Sequence, residues 1–220
     1  MKPTTFEITP KAVQDYCDAH TTTPTPQLQQ IERWVHLHSA YPRMVSGHYQ
    51  GAFLSMVSQM MQPKIVVEIG SFVGYSAICL AQGLAEGGVV HTIEVNDELE
   101  DVIQNNLREA HLSHQVQVHI GDAHTLIPSL PNNIDLAYID ADKPSTPTYY
   151  EMLLAKMRIG GILLIDNILW SGKVLRTDLN PDADTHLLDQ LNHDVQHDPR
   201  VENILLPLRD GIMMVRKKAL

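Results

Sequence analysis

The pattern of apolar and polar positions divides the chain into a polar beginning and a long alternating remainder. Residues 1–23 are weakly patterned, with Phe6, Val13 and Tyr16 spaced to dock as a short helix. The breaker cluster Thr21–Pro26 opens a helix that runs to about His38. Residues 48–61 form a second helix in this reading, its apolar face carrying Phe53, Met56, Val57 and Met60. From Lys64 onward short apolar runs alternate with helical stretches. Strands are predicted at 65–69, 89–93, 116–120, 134–139 and 162–165, and helices at 75–84, 97–110, 123–130, 148–158 and 181–197. Two final strands, 201–206 and 212–215, flank a short connection containing Asp210-Gly211, as in an antiparallel hairpin.

Strands separated by helices of ten or so residues imply right-handed crossovers and a mostly parallel sheet. Their near-continuous apolarity implies helices on both faces. The expected fold is α/β, doubly wound and Rossmann-like, with seven strands and a C-terminal antiparallel hairpin. One domain spans 1–220, with residues 1–45 a helical extension and 46–220 the ligand-binding core.

Composition narrows the function classes. The 220 residues are 44% hydrophobic and 19% charged, which supports a sizeable core. A formal net charge of −10 disfavours a nucleic-acid partner, which needs a basic surface. Two cysteines make no cluster or redox pair, and no apolar run approaches a membrane span or signal core, so a soluble cytoplasmic protein is expected.

Ligands of such sheets sit at the carboxyl ends of the strands, where strand order reverses. The first strand runs into Glu68-Ile69-Gly70-Ser71-Phe72-Val73-Gly74-Tyr75-Ser76, where Gly70 and Gly74 let backbone approach a ligand. Glu94 ends the second strand and is placed to accept from ribose hydroxyls. A dinucleotide fingerprint wants glycine where Glu68 stands, and an acid there opposes a pyrophosphate. A cationic nucleoside such as S-adenosylmethionine suits the loop better; an ordinary glycine turn with a capping acid remains the plain alternative. Asp122 after the third strand suits either an adenine amino group or a helix cap.

Asp140 ends the fourth strand, and Asp166 and Asn167 end the fifth. If those strands are neighbours, two carboxylates and an amide converge. Carboxylates held that close call for a cation or a proton between them. Hard oxygen ligands suit Mg²⁺ first, with Ca²⁺ or Mn²⁺ possible, whereas zinc would want His or Cys. Capping of the following loops by each Asp is the simpler use of these residues. Lys143, three residues on, is a candidate general base or a solvated loop lysine. His193 and His197 have chelating spacing on a late helix, but no partner is near in sequence and a solvated face is expected.

Val67–Ser76, Tyr138–Lys143, Asp166–Gly172, Asp198–Val201 and Leu206–Gly211 together resemble the caffeoyl-CoA and bacterial catechol O-methyltransferase-like family over about residues 40–218. The resemblance implies a S-adenosylmethionine-dependent O-methyltransferase acting on a small phenolic acceptor, commonly as a homodimer. It implies that Met44 and Ser46 close over the cofactor, and that Glu68, Gly70, Ser71 and Ser76 bind its methionine part. Glu94, usually Asp in the family, would hold the ribose; Asp122 and Ala123 the adenine; Asp140 and Asp142 the sulfonium end. Asp140, Asp166 and Asn167 would hold the metal, with Lys143 as base acting together with Asp140. Tyr149, Tyr150 and Trp170 are candidates for an aromatic wall over the acceptor, with packing of the following helix an equal use for the two tyrosines, and Ser171 would border the acceptor. Ser171 stands where plant enzymes acting on CoA esters carry Asn, so a CoA thioester is not expected. Two alternatives remain: a transfer-RNA wobble 5-hydroxyuridine methyltransferase of the same fold, with a basic rim of Arg33, Arg43, Lys173, Arg176 and residues 216–218, and a non-catalytic cofactor-binding protein.

Overall fold

The computed structural model describes residues 8–175 and 182–219. Phe6, Arg176 and the Pro181 start of the last helix lie outside the described residues. Helices α1 (Lys11–Ala19) and α2 (Pro26–His38) precede α3 (Gly47–Met61). Then come β1 (Ile65–Ile69), α4 (Tyr75–Ala81), β2 (Val89–Glu94), α5 (Glu100–Glu109), β3 (Val116–Ile120), α6 (Ala123–Leu126) and β4 (Ile134–Ile139). The chain continues through α7 (Thr146–Lys156), β5 (Met157–Asp166), α8 (Ala183–His197), β6 (Val201–Leu206) and β7 (Ile212–Lys217). Among the described residues no helix is long and apolar enough to cross a membrane.

The seven strands form one sheet in the order β3-β2-β1-β4-β5-β7-β6. The first five are parallel, and β7 runs antiparallel to both β5 and β6. Strand order therefore reverses between β1 and β4, as a doubly wound Rossmann-like sheet requires. Each central strand feeds two cores by its alternation. Val66, Val90, Leu136, Tyr138 and Leu164 pack under α2 to α5, while Val67, Ile93, Ala137, Ile139 and Ile165 pack under α6 to α8. At the carboxyl ends the same period carries Glu68, Asp140 and Asp166 to the side that α3 covers.

Local chemistry sets several boundaries. The Thr25 hydroxyl accepts from Leu28 N at 3.4 Å and Pro26 takes the first turn of α2, where a missing N–H costs nothing. The expected helix over 123–130 stops at Leu126 and tightens to a 3₁₀ turn at Ile127–Ser129, because Pro128 has no N–H to continue it. The helix expected to reach Arg158 ends at Lys156, and β5 begins at Met157, paired with Ile134. Gly160, at φ +79°, and Gly161 gave that stretch the look of a turn, so the strand's first half was hidden.

The buried face of α3 also differs from the expected one. Met56 and Met60 are 61% and 72% exposed, while Gly51, Leu54, Val57 and Ser58 face inward. Small residues decide this: a Cβ on Gly51 would stand 2.7 Å from the Tyr75 ring, and Ser58 Oγ donates to Leu80 O at 2.5 Å. Close approach of α3 to α4 outweighs burial of two flexible methionines.

At the amino ends of the strands Asp135 is a hub. Its carboxylate accepts from Lys64 N at 2.8 Å, Ile65 N at 2.9 Å and Arg158 Nε at 2.5 Å, tying β1, β4 and β5 together opposite the ligand edge.

Candidate active site

A cleft of about 1720 Å³ opens over the carboxyl ends of β1, β2, β4 and β5, beside the reversal point. Single small-molecule sites span roughly 300–1,000 Å³, so this one has room for a nucleoside and an acceptor together. Every residue assigned to the cofactor, the metal or the acceptor from the sequence lines it except Glu68, Gly74 and Tyr150.

The loop after β1 forms one end. Gly70 has φ +96°, and a Cβ there would stand 1.9 Å from the Asp140 carbonyl oxygen. The close approach that demands glycine is thus to the chain's own β4 end, and Asp140 N donates to Ile69 O at 2.9 Å across the same gap. Gly74 takes φ +82°, and a Cβ there would meet only Ile103 Cγ2 at an ordinary 3.4 Å, so the backbone angle selects glycine. Ser71 is buried and its Oγ has no partner; Ser76, also buried, begins α4. Glu94 accepts from Phe72 N at 2.7 Å and Asn96 N at 3.0 Å, which fixes the loop against β2 and leaves lone pairs for a ligand.

Glu68 sits behind this loop with no exposed surface. Its Oε2 accepts from Thr92 Oγ1 at 2.5 Å, and its Oε1 has no partner. Burial pushes its carboxyl up to about 7, against the lowering effect of hydroxyls from Ser76 and Thr92.

The other end holds the acids. β4 and β5 are neighbours in parallel register, Ile139 against Ile165, so Asp140 and Asp166 follow side by side. Enclosure first, then the charge of Asp166, pushes the Asp140 carboxyl up, and Lys143 partly offsets this. Lys143 Nζ donates to Asn167 Oδ1 at 2.6 Å and Ala141 O at 2.9 Å, and lies 3.9 Å from Asp140 Oδ1. Asn167 adopts φ +61°, the left-handed turn that brings its amide back to this edge. The Asp142 Oδ2 accepts from Ser145 N at 3.0 Å at the start of α7.

Asp122 both faces the cleft and caps α6, accepting from His124 N at 2.8 Å, with Ala123 buried beside it. Tyr149 packs against the His124 ring at 4.7 Å and its hydroxyl lies 3.4 Å from Asp142 Oδ1. Tyr150 is turned away: its hydroxyl donates to Asp198 Oδ2 at 2.8 Å under α8, so it forms no part of the wall. Trp170 and Ser171 take left-handed angles (φ +48° and +54°), and the Trp170 indole nitrogen is buried without a partner. Ser171 N donates to Asp210 Oδ1. Met44 is exposed and Ser46 buried where the segment before α3 meets the cleft. His193 and His197 lie on the solvent face of α8, with His197 Nδ1 bonded to His193 O at 2.8 Å.

The structure adds residues to which the sequence assigned no site role. Gln50, Tyr138, Arg209 and Asp210 all stand at or behind the acid edge, and α1 contributes Val13, Asp15 and Cys17 to the rim. Gln50 carried one signal, a polar residue on a helix face that turns out to be buried. Among the described residues no three His, Cys, Asp or Glu side chains gather to hold a metal ion. The candidate cation set instead pairs two carboxylates with an amide. The donor chemistry and the raised Asp140 carboxyl fit a hard divalent cation.

Comparison with known proteins finds relatives among O-methyltransferases. A grape flavonoid 3',5'-methyltransferase (Vitis vinifera) is 31% identical over 180 residues, 76% of each chain. A catechol O-methyltransferase of Niastella koreensis is 36% identical over 130 residues, covering 57% of this chain and 59% of its own. An O-methyltransferase from Bacillus cereus, solved in complex with SAH, superposes with a TM-score of 0.84 at 28% identity, covering 94% and 97% of the two chains. The O-methyltransferase family model matches residues 19–218, and the chain therefore belongs to the O-methyltransferase family.

Proposed function

We propose that the protein transfers the methyl group of S-adenosylmethionine to a hydroxyl oxygen of a small catechol-type phenol, assisted by a divalent cation. The observation that carries this is the shared cleft. A glycine loop with buried, partnerless acceptor atoms stands beside two carboxylates, an amide and a lysine from adjacent strand ends. The names of relatives acting on flavonoids and catechols support the acceptor class.

When bound, S-adenosylmethionine supplies an electrophilic methyl group, and a divalent cation supplies Lewis acidity at a chelated hydroxyl. The chain's own residues supply the rest. Glu94 accepts from the ribose hydroxyls while holding the Phe72 backbone. Ser71, with Gly70 and Ser76, would border the methionine end, and the Glu68 carboxylate behind the loop would favour an ammonium there by its charge. Asp122 and Ala123 border the adenine, Asp142 the sulfonium end, and Met44 and Ser46 cover the cofactor. Asp140, Asp166 and Asn167 hold the cation, Mg²⁺ before Ca²⁺ or Mn²⁺. Lys143, beside that set, would take the hydroxyl proton as the oxygen–methyl bond forms and the sulfonium–methyl bond breaks, leaving S-adenosylhomocysteine. Tyr149, Trp170 and Ser171 border the acceptor. Residues 1–45 extend a core of 46–220. A cytoplasmic homodimer completes the proposal, in line with the two free cysteines, Cys17 and Cys79.

The test is a methyl-transfer assay on the purified chain with a catechol panel and total RNA, each with Mg²⁺ or with chelator. Methylated catechol that disappears with chelator is expected. Labelled RNA without labelled catechol, or turnover indifferent to chelator, would overturn the assignment.

A further inference from the structure

Gln50 lies in the first turns of α3 and is 1% exposed, yet none of the roles assigned above uses it. Its carboxamide is committed at both ends. Nε2 donates to Asp166 Oδ2 at 2.6 Å and to the Tyr138 hydroxyl oxygen at 2.6 Å. The Tyr138 hydroxyl donates in turn to the same Asp166 oxygen at 2.9 Å. On the other side Gln50 Oε1 accepts from Arg209 Nη1 at 3.3 Å. That guanidinium nitrogen also donates to the backbone carbonyls of Val45, at 3.1 Å, and Ser46.

A guanidinium on one side and a carboxylate on the other leave a carboxamide one satisfying orientation, with oxygen toward Arg209 and nitrogen toward Asp166. An unbroken path thus joins three parts of the fold far apart in sequence. It runs from the segment before α3, through the turn between β6 and β7, to the carboxylate at the end of β5. Each member is held by the next, and such networks act as units in a low-dielectric interior.

We propose that Gln50 is a positioning residue. It fixes the Asp166 carboxylate and ties it, through Arg209, to the Val45–Ser46 segment, so that a divalent cation at Asp166 and the cofactor under that segment bind more tightly together than apart. This rests on the cation assignment made above. By linkage, whatever factor the cofactor adds to cation affinity, the cation adds to cofactor affinity.

The test is calorimetric titration of Mn²⁺ into the full chain, with and without saturating S-adenosylhomocysteine, for wild type, Gln50→Met and Arg209→Met. In wild type, cofactor product is expected to tighten Mn²⁺ binding about fivefold or more. Gln50→Met keeps the side-chain length but cannot bridge, and the factor is expected to fall to about one. Arg209→Met cuts the path on its other side, so the factor should be lost whatever the removal of this charge near Asp140 does to Mn²⁺ affinity without ligand. If Gln50→Met does not fold, as a thermal melt would show, Arg209→Met decides. A wild-type factor of one, or a wild-type factor retained in the folded variants, overturns the coupling alone. Absence of Mn²⁺ binding to wild type in both conditions overturns the cation assignment, and the coupling falls with it.

Discussion

A Cβ added to Gly70 would stand 1.9 Å from the carbonyl oxygen of Asp140, so the proposed cofactor loop and the proposed cation edge are packed backbone to backbone. No side chain fits between them, and the positive φ of +96° already disfavours one. Gly70→Ala is expected to weaken S-adenosylhomocysteine binding at least about tenfold and to cost more than about 1 kcal/mol of stability. Calorimetry and a thermal melt measure both. A variant that binds like wild type would show that the gap yields freely.

Asp140 is only loosely held: the Tyr138 hydroxyl lies 3.5 Å away and Lys143 3.9 Å. Replacing it with Asn should lower divalent-dependent kcat by about 100-fold or more, the scale for losing a preorganised charge-stabilising group. Cofactor affinity should change little. Chelator-insensitive turnover at the wild-type rate in Asp140→Asn would remove the residue from the chemistry.

Lys143 reaches Asn167 at 2.6 Å and is mostly enclosed. Lys143→Met is predicted to lower kcat by about 10² to 10⁴, the range for losing a general base, with KM for the cofactor unchanged. A fall in cofactor affinity with kcat preserved would make the lysine a binding group only.

Glu68 links binding to pH. Burial raises its carboxyl to about 7 in the free protein, whereas a bound ammonium favours the ionised form. Cofactor affinity should therefore rise about tenfold between pH 6 and pH 8. The stability of the free protein moves the opposite way. Its raised folded value makes the contribution complete below the unfolded carboxyl range and lost as pH rises through 7. Glu68→Gln should flatten both profiles, read by titration and by melting at each pH. A sloping affinity profile in Glu68→Gln would assign the proton elsewhere.

His91 and His119 face each other on β2 and β3, Nδ1 to Nε2 at 3.1 Å. Burial lowers both, and the neighbouring His119 further disfavours a charge on His91. A histidine lowered in the fold contributes stability above its unfolded value near 6.5, lost as pH falls toward the folded value. Melting temperature should drop between pH 7 and pH 5, and His119→Gln should make the drop smaller. An unchanged drop in that variant would exclude the pair as its source.

Much of this protein is legible in one dimension because its strands are short apolar runs and its site lies at their ends. Glu68, Glu94, Asp140 and Asp166 each follow such a run, and a parallel sheet delivers run ends to one edge. The first half of β5 was hidden by Gly160-Gly161, and the buried face of α3 by methionines that prove to be exposed. Tyr150 shows the same limit, since helix spacing could not tell which of two adjacent tyrosines faces the cleft.

The succession of strands along the chain, the glycine turn and the acids at the strand ends were set by local pattern, because alternation and turn chemistry act over a few residues. Which side chains meet across the fold was not. Gln50 reaches Asp166 across 116 residues of sequence, and Arg209 reaches Ser46 across 163. Such contacts carry no spacing to read. They exist only after two cores have closed on opposite faces of the sheet and burial has left the polar groups to bond one another.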